Sequence, residues 1–155
     1  MKIKNVQGII CLVIFLLFAN RAWAEDWILY NTSKEGKMYY DKSSIEEISQ
    51  NIIRVWTKTI LNEKGKTEAF SFLKNMDMKP CNRDTISYEL TLEQYDCVND
   101  KYKNISTTIY DKKSNVLLGQ KVIVGKWSDI HPKSIVGKLK NIVCSAVKTS
   151  KIKRK

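Results

Sequence analysis

The chain has 155 residues, with 27 Lys or Arg against 16 Asp or Glu and a formal net charge of +11. That length sets the expectation at one ordinary domain with one core. A single histidine and six glycines leave little for histidine chemistry or a glycine-rich phosphate cradle. The basic balance speaks to solubility and to encounter with polyanions, and by itself defines no site.

The N-terminus carries an address. Lys2 and Lys4 precede an uncharged apolar stretch from Gly8 to Ala19, which ends in Ala22-Trp23-Ala24 before Glu25-Asp26. This is the pattern of a cleavable secretory signal peptide over residues 1–24. A spanning helix needs about 20 apolar residues, and this run is shorter and broken by Asn20 and Arg21. Cys11 follows Ile10 rather than a small residue, which argues against a lipid-attached cysteine, so Cys11 is expected to leave with the signal. Cleavage removes Lys2, Lys4 and Arg21, so the mature 131 residues carry 24 basic and 16 acidic side chains, a net charge of +8. No transmembrane segment is expected after cleavage. An exported basic domain, periplasmic, surface-bound or secreted, is disposed toward protein or polyanionic partners, with no specific recognition of nucleic acid.

The mature chain reads mainly as β structure, in one domain over residues 25–147. Trp27 to Tyr30 and Lys37 to Tyr40 form strands of a hairpin around a polar turn. Asp41 to Ser44 is a turn, and Ile45 to Ile48 reads as a single helical turn. Ile53, Val55, Thr57, Thr59 and Leu61 alternate with Ile52, Arg54, Trp56, Lys58 and Ile60, a β-branched strand pattern. Asn62 to Lys66 has turn composition. Within Thr67 to Asp84, residues Ala69, Phe70, Phe72, Leu73 and Met76 fit one face of a short helix, and Met78 to Asn82 is loop. Thr85 to Val98 is a strand with Ile86, Tyr88, Leu90, Leu92, Gln94 and Asp96 on one parity and Tyr95 and Cys97 on the other. Tyr102 to Tyr110 and Val116 to Val124 follow as strands, each after a turn.

Pro132 then opens a closing helix, with Ile135, Val136, Leu139, Ile142, Val143, Ala146 and Val147 recurring at the helical period. The fold class is α+β: an antiparallel sheet of about six strands with the C-terminal helix packed on one face. Residues 148–155 hold Lys148, Lys151, Lys153, Arg154 and Lys155 and read as a mobile basic tail, a candidate polyanion contact.

Cys81, Cys97 and Cys144 remain after cleavage, and an exported chain is expected to form a disulfide. The preferred pair is Cys97–Cys144, and Cys144, at the margin of the helix's apolar stripe, could reach a strand under the helix as that bridge requires. Cys81, after Pro80 in a polar stretch, is then the spare thiol, free or bridging to a second copy, which leaves a dimer open. Zinc is disfavoured, because no Cys-x-x-Cys occurs and only His131 is available to help.

No catalytic set or cofactor motif is legible. His131 has no marked nucleophile beside it and reads as a solvated turn residue. Nucleophile-elbow, zinc-protease, Walker, dinucleotide and haem-attachment motifs are missing from the sequence. Glu46 and Glu47 are adjacent and so point to different sides of any regular element. Trp27, Tyr30, Tyr39, Tyr40 and Trp56 crowd into the first three strands, where core packing is the preferred reading and a binding surface the alternative. Asn31-Thr32-Ser33 and Asn104-Ile105-Ser106 match the glycosylation sequon, a motif short enough to recur by chance.

The order of several short motifs resembles the surface-adhesin protein E family. Tyr39-Tyr40-Asp41 and Ser44-Ile45 precede Arg54-Val55-Trp56-Thr57-Lys58. Gln94-Tyr95-Asp96-Cys97 and Tyr110-Asp111-Lys112 follow. Trp127, Ile130, Pro132, Ser134-Ile135 and the final Cys144 complete the series. The resemblance implies a small exported bacterial domain of antiparallel sheet plus helix, a disulfide mapping onto Cys97 and Cys144, and a non-enzymatic binding role. Cys81 departs from it, as does the lack of a lipid-attachment cysteine, which puts outer-surface display in doubt. Two other roles are weighed beside binding: a periplasmic small-ligand carrier, which needs an apolar pocket between sheet and helix, and an envelope enzyme inhibitor.

Overall fold

A computed structural model describes residues 25–76, 82–122 and 125–152. Its strands are β1 (Trp27–Thr32), β2 (Gly36–Asp41), β3 (Glu46–Ser49), β4 (Ile52–Leu61), β5 (Ile86–Asp96), β6 (Lys101–Asp111), β7 (Val116–Val122) and β8 (Ser128–Asp129). Helix α1 (Glu63–Asn75) follows β4, and α2 (Ile135–Ile152) closes the described chain.

All described pairings are antiparallel, and the main path runs β1-β2-β4-β5-β6-β7. The expected sheet of about six strands is therefore present, with two additions. Strand β3 pairs with Ile52 to Arg54 of β4, while β2 pairs with Thr57 to Leu61 on the same edge. In the same way β8 takes Lys101 and Tyr102 of β6, and β7 takes its other end.

One parity of each strand faces the helices. On β4 these are Ile53, Val55, Thr57 and Leu61, all buried. Against Ile53 and Val55 pack Tyr30, Tyr40, Tyr95 and, from α2, Leu139, Val143 and Cys144. Leu61 joins a second cluster with Ile86, Ile109 and Leu118 from the sheet and Ala69 and Leu73 from α1. Both helices thus cover the same face, at opposite ends of β4, and among the described residues the other face carries no helix. The C-terminal helix lies where it was expected.

Three local readings need correction. Residues Ile45 to Ile48 are not a helical turn. A single 3-10 turn at Lys42–Ser44 is capped by the Asp41 side chain, and the chain then extends into β3, where Glu46 pairs with Arg54. Asn62 to Lys66 is not a closing turn but the start of α1, since the Asn62 side chain accepts from the backbone N–H groups of Lys64 and Gly65. Gly65 sits inside the helix for packing: a Cβ there would stand 2.3 Å from the Glu35 carbonyl oxygen. Finally, Pro132 is not the first helical residue. Ser134 caps α2 by accepting from the Gly137 N–H at 3.0 Å, and His131 stays exposed in the preceding turn.

Asn62 also donates its amide to the Lys34 carbonyl and its backbone N–H to the Glu35 carbonyl, tying α1 to the β1–β2 turn. Asn62→Ala is expected to destabilise the fold by about 1–2 kcal/mol, the usual range for losing such a cap. A urea titration checks it; an unchanged midpoint would show that the cap carries no stability.

Candidate functional site

Strand β5 sets the character of both faces. Its register with β4 places Trp56 opposite Leu92, Lys58 opposite Leu90 and Ile60 opposite Tyr88, all on the helix-free face. The intervening Glu89, Thr91 and Glu93 therefore turn toward the helices. A strand that packed its apolar side inward would do the opposite. Ile86 escapes this rule because the pairing shifts between Ile86 and Tyr88, and it is fully buried.

The open face is aromatic and carries Lys58. Lys58 Nζ lies 4.8 Å from the Trp27 ring centroid and 5.1 Å from that of Tyr88. Tyr88 in turn stacks on Tyr110 with centroids 4.8 Å apart and planes 11° from parallel. Among the described residues the Lys58 ammonium has these rings for neighbours and no carboxylate within ion-pair distance. Such contacts contribute about 0.5–1 kcal/mol at exposed sites and leave the charge available to an incoming anion.

Trp56 stands as a ridge between two hollows. One, of about 310 Å³, is lined by Glu25, Trp27, Asp41, Trp56, Leu90 and Tyr110. The other, of about 320 Å³, is lined by Ser44, Glu46, Arg54, Trp56 and Leu92. Around them Leu29, Ile60 and Val116 are 50 %, 45 % and 54 % exposed. Their register partners Tyr39, Lys37 with Tyr88, and Tyr110 place them on the same open face. Exposed apolar area grouped in this way, beside cations, is the signature of an interaction surface rather than of a solvated sheet.

The aromatic crowding of the first three strands is thereby divided. Tyr30 and Tyr40 are buried in the core, with rings 6.2 Å apart, as core packing requires. Trp27, Tyr39 and Trp56 belong to the open face. Tyr88, Leu90, Leu92 and Tyr110 were not singled out for binding in the sequence. Alternation marks them as one side of their strands but does not say which side the helices cover.

The other sequence-derived residues fall as follows. Cys97 and Cys144 form a disulfide with Cα atoms 5.9 Å apart, joining the end of β5 to α2. Cys81 lies outside the described residues, as do Lys153, Arg154, Lys155 and the signal segment 1–24. The tail reading for 148–155 is corrected in part, since α2 continues through Lys148 and Lys151 to Ile152. Lys148 is exposed, near the helix C-terminus where cations complement the helix dipole. Among the described residues no group of His, Cys, Asp and Glu is placed to hold a metal ion, and no helix is long and apolar enough to cross a membrane.

These features define a class: a small α+β domain with one helix-covered and one open sheet face, closed by a disulfide. The model of the surface-adhesin protein E family matches residues 27–145, nearly all of the described chain, and the chain belongs to that family. No curated protein and no solved structure matches it. Membership places the chain in a family named for surface adhesion.

Proposed function

We propose that this is an exported, non-enzymatic binding protein of the bacterial envelope or surface, made as a precursor with a signal at 1–24 and working as one domain over 25–147. Its contact surface is the open sheet face, and its partner is a protein presenting acidic groups beside apolar ones. The observation that carries this reading is the placement of Lys58 between Trp27 and Tyr88, flanked by the hollows at Trp56. Aromatic anchors supply area, and an ammonium with no carboxylate partner among the described residues supplies sign and orientation. Lys148, Lys151, Lys153, Arg154 and Lys155 act as an auxiliary polyanion contact that speeds encounter.

The test uses peptides selected by display on the mature chain. Selected sequences are expected to combine Asp or Glu with aromatic residues, and to weaken about tenfold or more on Lys58→Glu or Trp56→Ala. Their binding is also expected to fall as salt rises. Peptides that bind Lys58→Glu as well as the parent chain would refute the open face as the contact. Fractionation of the native cell into periplasm, outer membrane and medium then decides which partners the protein meets.

A further inference from the structure

On the helix side of the sheet, the two core clusters do not meet. Between them the inward positions are polar: Thr57, Thr91 and Thr107 lie in register across β4, β5 and β6, with the Thr91 and Thr107 hydroxyls 3.1 Å apart. Glu89 and Glu93 flank this row on β5. Packing alone calls for apolar side chains on a helix-covered face, so this stretch is built for something other than core.

Above it, between α1 and the start of α2, is a cleft of about 380 Å³. Met38, Leu61, Phe72 and Ile135 line it as apolar walls, and Thr59, Glu89 and Thr107 are among its floor residues. Ser33, Glu35 and Glu68 complete the polar lining, and among the described residues no Lys, Arg or His is part of it. Two cations pair with the rim carboxylates: Lys34 Nζ lies 3.9 Å from Glu35, and Lys64 Nζ lies 3.8 Å from Glu35 and 3.7 Å from Glu68. Glu89 has neither an ion pair nor a side-chain hydrogen bond among the described residues.

We propose that this cleft binds a small primary amine carrying an apolar body, with the ammonium on Glu89 and the hydrocarbon against Phe72 and Met38. The volume is at the small end of the range for ligand pockets, about 300–1,000 Å³. An anion meets carboxylates only. A purely apolar ligand would strip water from Glu89 without giving it a partner. An ammonium satisfies the carboxylate with a charge-assisted hydrogen bond, and the Thr59 and Thr107 hydroxyls can accept its remaining protons. In a chain of net charge +11, a pocket lined by three carboxylates is a departure that surface composition does not explain. The cleft lies on the opposite side of the sheet from Lys58, so this inference stands apart from the contact assigned to the open face.

The probe is phenethylamine, with 3-phenylpropionate as the anion of similar shape, titrated into the mature chain and followed by amide NMR shifts. The amine is expected to move Gly65, Ala69, Glu89 and Thr107 at millimolar concentration, and the carboxylate to move none of them. Glu89→Gln is expected to weaken the amine about tenfold or more, the scale of a lost charge-assisted bond. Should Glu89→Gln fail to fold, Thr107→Val is expected to weaken it severalfold instead. Burial and the neighbouring Glu68 carboxylate push the Glu89 pKa up; the other charges at the cleft are Glu35 and its partners Lys34 and Lys64 on the rim. Amine affinity should therefore rise with pH above the ordinary glutamate range. Equal response to amine and carboxylate, shifts confined to the Lys58 face, no response at millimolar amine, or an unchanged affinity in Glu89→Gln would each overturn the assignment.

Discussion

Replacing Cys97 and Cys144 together by serine is expected to lower the unfolding free energy by about 4 kcal/mol, from the chain entropy that a crosslink of this span removes from the unfolded state. The bridge joins residues 47 apart in sequence. Within that loop lie β6, β7, β8 and the first part of α2, so the crosslink restrains more than a third of the described residues in the unfolded chain. In the folded state it holds α2 to the end of β5, beside Leu139 and Val143, which are fully buried in the same cluster. A domain of this size has net stability of roughly 5–15 kcal/mol, so the loss is a large fraction of the whole. The check is a urea titration of parent and variant, each with and without reductant. The parent's midpoint should drop on reduction to that of the double variant, and reductant should leave the variant unmoved. Cys81→Ser is the control and should change neither curve. A parent midpoint indifferent to reductant would sink the prediction.

Much of this architecture is legible in the sequence, and the failures have physical causes. Alternation in Ile52 to Leu61 specifies β4 because one parity is mostly β-branched and the other mixed, and its inward set, apart from Thr59 at the cleft, is the set that is buried. The helical period after Ser134 specifies α2, although the exposed Ala146 and the 37 % exposed Ile135 lie off the buried stripe. The start of α1 was hidden by composition. Asn62, Lys64 and Gly65 are turn residues by propensity, yet Asn62 serves as a cap and Gly65 as a close-approach point against the β1–β2 turn. Strand β3 was hidden because four residues with two adjacent glutamates show no period. What extends it is its antiparallel pairing with Ile52 to Arg54, across which Arg54 Nη2 meets Glu46 at 2.6 Å.

The candidate sites were legible only in part, for a reason that concerns β5. Its two parities are apolar and acidic, and the natural inference buries the apolar one. The structure reverses this, because Ile53 of β4 must meet Tyr95 of β5, and that pairing commits Glu93, Thr91 and Glu89 to the same side. Fully buried Tyr95 is the anchor of the register. One residue's burial thus turns Tyr88, Leu90 and Leu92 out to the open face and the two glutamates in toward the helices, Glu89 into the cleft and Glu93 against Tyr95 and Thr57. Nothing local to residues 86–94 reports this, since the decision is made at Tyr95 and by the helix that covers it.

That anchor makes the second large prediction. Tyr95 donates its hydroxyl to one oxygen of the Glu93 carboxylate, while Thr57 donates to the other at 3.1 Å. Burial pushes the Glu93 pKa up, and the two hydroxyl donors pull it part of the way back. Tyr95→Phe keeps the ring and its contact with Tyr102, whose centroid lies 6.4 Å away, but leaves the carboxylate with one donor fewer. Hydrogen bonds to charged groups contribute roughly 1.5–3 kcal/mol, so a loss of about 2 kcal/mol is expected at neutral pH. The sign of its pH dependence follows from linkage. A carboxyl whose folded pKa is raised destabilises the fold as pH climbs from the unfolded value, about 4.3 for glutamate, through the folded one. Removing the Tyr95 donor raises the folded value further, so the deficit of Tyr95→Phe should shrink in acid and grow toward neutrality. Asp96 and Asp111, held low by their Asn99 and Asn115 partners, act in the opposite sense and only at more acid pH. Glu93→Gln removes the titrating group. On that background Tyr95→Phe should lose its pH dependence and cost less, since a neutral amide needs the donor less than a carboxylate does. Urea titrations of the four chains between about pH 5 and 8 complete the double-mutant cycle. A Tyr95→Phe deficit of constant size across that range, with or without Glu93, would show that the hydroxyl acts through packing rather than through the carboxylate.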